Sequence, residues 1–213
     1  MTAMPVYDIH THCRTAPDCE SVLCIGTDID LAVPGGLYSA GIHPWDLERD
    51  GFYSRLQALE RLAGMENVVA IGECGLDSLR GPDIAFQKEA FMEQAATAAR
   101  VHKPMILHVV RQFDTLISLR KQSGSSERWL IHGFRGGVRQ MEQLLDNGFY
   151  LSFGIGSKPE TLAAVPDYSL ILETDGKCPV LAVQELAASA RCCNVQAIRD
   201  ASARASCDFL GLH

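Results

Sequence analysis

Residues 68–109 read VVAIGECGLDSLRGPDIAFQKEAFMEQAATAARVHKPMILHV, and they decide the fold. Val68–Ile71 is a short run of apolar and β-branched residues, and Met105–Val109 is a second. Between them, Asp83–His102 spaces its apolar residues as a helix does, with Asp83 placed to cap the first turn. Strand, helix and strand in succession make a parallel crossover, which is right-handed in nearly all sheets.

The same alternation extends outward. Further strand-like runs are Val6–Ile9, Val22–Ile25, Leu37–Ile42, Trp129–Ile131, Tyr150–Phe153 and Leu170–Leu172. Helical patterns cover Asp46–Ala63, Gln112–Gln122, Gly137–Asn147 (stopped by Gly148), Pro179–Arg191 and Val195–Leu210. Eight strands alternating with helices predict an α/β fold of the (β/α)8 TIM-barrel type. Only about a dozen residues separate each of the first three runs, too few for a crossover helix with its turns. The expectation is a pared-down barrel whose early crossover helices are missing, built as one domain over residues 1–213.

Composition narrows the function classes. The chain has 213 residues, 47% of them hydrophobic and 21% charged, which is enough to bury a core. The longest stretch without Asp, Glu, Lys or Arg, Leu31–Trp45, is 15 residues long, against the ~20 that a membrane span needs. The first twenty residues show no basic start and no apolar run, so no signal peptide is read and a cytoplasmic location is expected. A net charge of −7 argues against whole-surface attraction to nucleic acid or anionic lipid, so any phosphate binding must be local. The eight cysteines include no C-x-x-C pair, and buried thiols are expected.

The chemistry begins at Asp8-Ile9-His10-Thr11-His12, where two imidazoles two residues apart on a strand project from one face. Alone, such a pair is weak: chance places one about 0.2 times in a chain with this many histidines. His43, His108 and His132 each follow another strand-like run, as do Glu73 and Asp175. In a barrel these strand ends share one mouth, where active sites of the fold lie. Even four of these five imidazoles with the two carboxylates exceed the needs of one tetrahedral ion, so two divalent ions sharing a carboxylate are expected. Zinc leads for mixed nitrogen and oxygen donors; manganese, nickel, iron or magnesium are not separated from it. Paired ions lower the pKa of a bridging water, and the resulting hydroxide makes hydrolysis the implied reaction.

In order along the chain, the segments Asp8–His12, Gly41–Pro44, Gly72–Asp77, Phe86-Gln87 with Phe91, Lys103–His108, His132–Gly136 and Leu172–Asp175 resemble those of TatD-type metal-dependent hydrolases, a DNase-like branch of the amidohydrolase superfamily. The resemblance implies that His10 and His12 bind one ion with Asp175, that His108 and His132 bind the second, and that Glu73 bridges them. It implies that His43 contacts the scissile phosphate and that Asp175 holds or deprotonates the attacking water, which makes Asp175 and Glu73 the catalytic pair. Two departures stand out: the early helices are missing, and the segment after Asp175 reads Gly176-Lys177-Cys178-Pro179 instead of a Pro-rich loop with Arg or Asn.

Arg14, Arg80, Arg111 and Arg135 follow the candidate ligands by two to seven residues and could grip phosphate oxygens, or could pair with Asp18, Asp77 and Asp83. The leading expectation is a two-metal phosphodiesterase, a 3′-trimming deoxyribonuclease or small phosphodiesterase acting on phosphorylated substrates such as DNA ends. The alternatives are an amidohydrolase or lactonase with the same ions, and a non-catalytic metal-containing scaffold. A homodimer is expected where the missing helices leave apolar surface.

Overall fold

The computed structural model describes residues 5–13 and 20–212. Eight strands, parallel wherever their pairing is given, are ordered along the sheet as along the chain: β1 (Asp8–Thr11), β2 (Ser21–Cys24), β3 (Leu37–Ala40), β4 (Val68–Asp77), β5 (Met105–Val110), β6 (Trp129–Ile131), β7 (Phe149–Phe153) and β8 (Ile171–Leu172). Helices α1 (Phe52–Ala63), α2 (Ile84–Val101), α3 (Phe113–Ser123), α4 (Val138–Asp146) and α5 (Pro159–Ala164) alternate with the later strands, and α6 (Val180–Ala190) and α7 (Val195–Leu210) close the chain. Among the described residues no α-helix separates β1 from β2 or β2 from β3; the second connection holds only a 3-10 turn at Ile29–Leu31. This is the pared-down (β/α)8 connectivity.

The structure corrects several boundaries. The pattern at Asp46–Ala63 is two elements, a 3-10 turn at Pro44–Asp46 and then α1, because Gly51 adopts φ +86 and restarts the helix after it. β4 runs past Ile71 to Asp77, all ten residues buried. Its glycines permit this: a Cβ on Gly72 would stand 2.3 Å from the Ile106 carbonyl oxygen, and one on Gly75 only 2.0 Å from that of His108. α5 carries too few apolar residues to announce itself in the sequence. The thiols divide, with Cys74 buried and Cys13, Cys192 and Cys193 exposed.

The described residues fall into two compact units, one from 5–13, 20–23, 35–37 and 130–212, the other from 24–34 and 38–129. In the second, α2 lies on β4, its N-cap Asp83 accepting the Phe86 amide, and Phe91 meets Trp129 edge to face at 5.2 Å. Leu59, Leu62, Phe91, Ile106 and Trp129 are fully buried there, each large aliphatic or aromatic side chain contributing about 1.5–3 kcal/mol. In the first, Ile9, Leu151, Phe153, Val183 and Phe209 form the corresponding core.

Candidate functional site

Each unit carries a cluster of imidazoles around a carboxylate. In the second unit the centre is Glu73, half-way along β4 and 4% exposed. His43 Nε2 lies 3.2 Å from Glu73 Oε1, and His108 Nδ1 lies 3.0 Å from the same oxygen. His43 is oriented by its other nitrogen, which accepts the Trp45 backbone N–H at 3.1 Å. His108 Nε2 faces a second carboxylate, Asp77 Oδ2, at 3.2 Å. Asp77 also accepts the Trp45 indole N–H at 2.6 Å and the Leu79 backbone N–H at 2.8 Å. Burial works against its charge, but these donors outweigh burial and hold its pKa below the usual carboxylate value.

Two buried glutamines of α2, seven residues apart and so on one helix face, hold the flanking backbone. Gln94 pairs with Ile42 in both directions, accepting its N–H at 2.7 Å and donating to its carbonyl at 3.2 Å. Gln87 accepts the Asp77 N–H at 2.7 Å and donates to the carbonyls of Asp77, Arg80 and Pro82. His43 and Asp77 therefore stand on backbone pinned from below.

In the first unit Asp175 sits in the left-handed region at φ +52, its N–H bonded to the His10 carbonyl at 3.0 Å. His10 Nε2 and His12 Nε2 lie 3.7 and 3.4 Å from Asp175 Oδ1, while Lys177 pairs with Oδ2. His132 packs its ring against His10 at 4.5 Å and points Nδ1 toward Glu173 Oε1 at 3.5 Å. Glu173 is also the acceptor of the Ser152 hydroxyl. Burial would raise its pKa, yet His132, His10 and Ser152 bring it down to about 2. Asp8 is the opposite case: burial raises it to about 6 although the Thr174 N–H and hydroxyl both donate to it.

The structure thus brings His43, Glu73 and His108 together in one unit, and His10, His12, His132 and Asp175 together in the other. Sequence reasoning assigned no role to Glu173, Asp8 or Gln94, and offered Asp77 only as an arginine partner, where the structure gives it Trp45, Leu79 and His108; the signal for Glu173 was a carboxylate two residues before Asp175 in a run otherwise apolar. Of the arginines, Arg80 stacks on the Trp45 ring at 3.9 Å, Arg111 is exposed at φ +55 after β5, and Arg135 lines a pocket beside Asp175. Arg14 and Asp18 lie outside the described residues. Asp83 pairs with Arg49.

These donors fit divalent ions. A neutral imidazole donates to only one carboxylate, yet His108 stands between two, so a cation can replace the second proton. In the clusters His43–Glu73–His108 and His132–Glu173–Asp175, the potential ligand atoms lie within 4.8 Å of one another. Mixed imidazole and carboxylate donors suit zinc and its neighbours.

Residues 28–205 match the family of TatD-related DNases. The chain belongs to that family. The matched residues include His43, Glu73, His108, His132 and Asp175, while His10 and His12 precede them. The chain is 36% identical over 152 residues to YjjV, an uncharacterized metal-dependent hydrolase of Escherichia coli, covering 65% of this chain and 58% of that protein. It is 34% identical over 157 residues to YabD of Bacillus subtilis, also an uncharacterized metal-dependent hydrolase (68% and 60% covered). A relative in Klebsiella pneumoniae, 32% identical over 154 residues (64% and 56% covered), is named a 3′-5′ ssDNA/RNA exonuclease. The matches thus span about 60% of the length of the curated relatives. The crystal structure of Escherichia coli YjjV superposes with a TM-score of 0.80 at 23% identity, covering 99% of this chain and all of that one, and an Entamoeba histolytica TatD-family hydrolase with 0.78 at 15% (98% and 99% covered). Among the described residues no helix is long and apolar enough to cross a membrane.

Proposed function

We propose that the chain is a two-metal hydrolase of phosphodiesters, a 3′-trimming deoxyribonuclease or small phosphodiesterase acting on phosphorylated substrates such as DNA ends. His10, His12 and Asp175 are assigned to one ion, His108 and His132 to the second, and Glu73 to both. The observation that carries this reading is the repeated pattern of one carboxylate flanked by imidazoles in each unit. Family membership and the exonuclease name of the Klebsiella relative support it. Two divalent ions, zinc first, would supply Lewis acidity toward the phosphoryl oxygens.

The protein's own residues divide the remaining work. Asp175 keeps one oxygen toward His10 and His12 and the other on Lys177, and is the group to take a proton from the attacking water. His43 contacts the scissile phosphate, its tilt set by the Trp45 amide. Arg14, Arg80, Arg111 and Arg135 are assigned to substrate phosphates. The test is metal analysis of protein purified without added ions, followed by turnover of a generic phosphodiester beside lactone and amide panels. About two equivalents of metal and metal-dependent phosphodiester cleavage are expected. Cleavage of lactones or amides alone would replace this reading, and bound metal with no turnover would leave a scaffold.

A second copy of the chain is the proposed protein partner. Ile29, Leu31 and Val33, on the connection that lacks a helix, are each about half exposed. Light scattering at high micromolar concentration should return twice the chain mass, and the double variant Ile29→Asp, Val33→Asp the single mass.

A further inference from the structure

The first unit holds a pocket at Asp175 in which the catalytic reading uses only Asp175 and Arg135. Its cavity volume is about 20 Å³, far below the ~300–1,000 Å³ usual for whole ligand sites, so it has room for one small polar group and nothing larger. It is lined by residues 154–157, by Arg135 and Lys177, and by Glu173 and Asp175. Arg135 lies on bare backbone: a Cβ on Gly156 would come within 2.9 Å of its Nε. Among the described residues Arg135 has no ion pair and no side-chain hydrogen bond. Ser157 fixes the 154–157 backbone by accepting the Gly154 N–H and donating to the Phe134 carbonyl.

The two carboxylates do not cancel the two cations. Glu173 is occupied by Ser152 and His132, and Asp175 by its imidazoles and Lys177. A divalent ion on Asp175 would take over the role of Lys177 as counter-ion and leave its ammonium facing the pocket with Arg135. Two cations lining a cavity this small match a dianion better than a diester, which carries one charge.

We propose that this pocket is a subsite for a terminal phosphomonoester, with Arg135 gripping two of its oxygens and Lys177 a third, so that the substrate class is a short phosphodiester ending in phosphate. The assignment rests on the phosphodiesterase reading above. It also gives a use to Lys177, which stands in the segment after Asp175 where the sequence departs from the family's pattern.

The experiment compares a dinucleotide ending in phosphate with the same dinucleotide ending in hydroxyl, using metal-loaded full-length chain. The ratio of their kcat/KM should exceed about tenfold in the wild type, the effect expected of one charge-assisted fork, and should fall toward unity in Arg135→Met and Lys177→Met, chiefly through KM. Lys177→Arg should keep the preference, which separates anion binding from mere support of Asp175. Inorganic phosphate, titrated into the full chain before metal is added, should bind to the wild type and lose at least about tenfold in affinity in Arg135→Met. Phosphate binding lost in that variant, with no phosphodiester cleaved by any form, supports the subsite and removes the phosphodiesterase reading. A wild type that cleaves both dinucleotides equally, or variants that keep the preference, overturns the subsite and leaves the phosphodiesterase reading intact.

Discussion

The two units hold the same kinds of side chain in different states of readiness. In the second, Glu73 is gripped by His43 and His108, Asp77 has three donors, and the backbone under both is pinned by Gln87 and Gln94. In the first, Glu173 is locked to Ser152, but Asp175 is held by the half-exposed Lys177 and by imidazoles 3.4 and 3.7 Å away, too loose for firm hydrogen bonds. One cluster is preorganised by neutral scaffolding. The other is held by a half-exposed lysine. The difference predicts that substitutions in the second unit act on geometry and those in the first on charge.

The largest expected effect is from Glu73→Gln. An amide keeps the shape but removes the charge that both His43 and His108 face, so both ions should weaken together, beyond the roughly 10- to 100-fold that follows loss of an orienting residue. Plasma mass spectrometry of metal content checks this; loss of one equivalent alone would make Glu73 a ligand to a single ion.

Next comes Glu173→Gln, predicted to lower metal affinity by about 10- to 100-fold, because His132 then loses the carboxylate that fixes its ring. Turnover should recover at high metal concentration. An unaffected variant would break the comparison, since the first unit would then need no charge at this position.

Gln94→Leu tests the scaffolding of the second unit. Leaving the Ile42 N–H and carbonyl without their partner should cost about 1–3 kcal/mol of stability. Turnover should fall through His43 while metal content stays constant. Metal loss in this variant would move His43 into the ligand set.

The smallest effect concerns pH in the chelated protein. Asp8 has its folded pKa raised to about 6 from 3.8 by burial, so its neutral form favours the fold. That contribution is complete below pH about 4 and is lost as pH rises through about 6, with an upper bound of about 3 kcal/mol. Asp8→Asn, which stays neutral throughout, should lack this part of the fall in denaturation free energy between pH 5 and pH 7.5. An identical slope in both proteins would show that Asp8 ionises freely.

Much of this was legible in one dimension. Strand and helix periods repeat locally, so the eight strands, the capped α2 and the lack of room for early crossover helices can be read from spacing alone. His10, His12, His43, Glu73, His108, His132 and Asp175 were likewise visible, because each follows or ends an apolar run. Local pattern is silent about pairing at a distance. That Ser152 fixes Glu173, that α2 reaches Ile42 through Gln94, that Trp45 joins His108 on Asp77, and that Lys177 and Arg135 share a pocket are decided by residues 21 to 52 positions apart. Which carboxylate gains charge and which loses it was also beyond the sequence: Glu173 and Asp8 are both buried acids, and only their folded neighbours separate a pKa near 2 from one near 6.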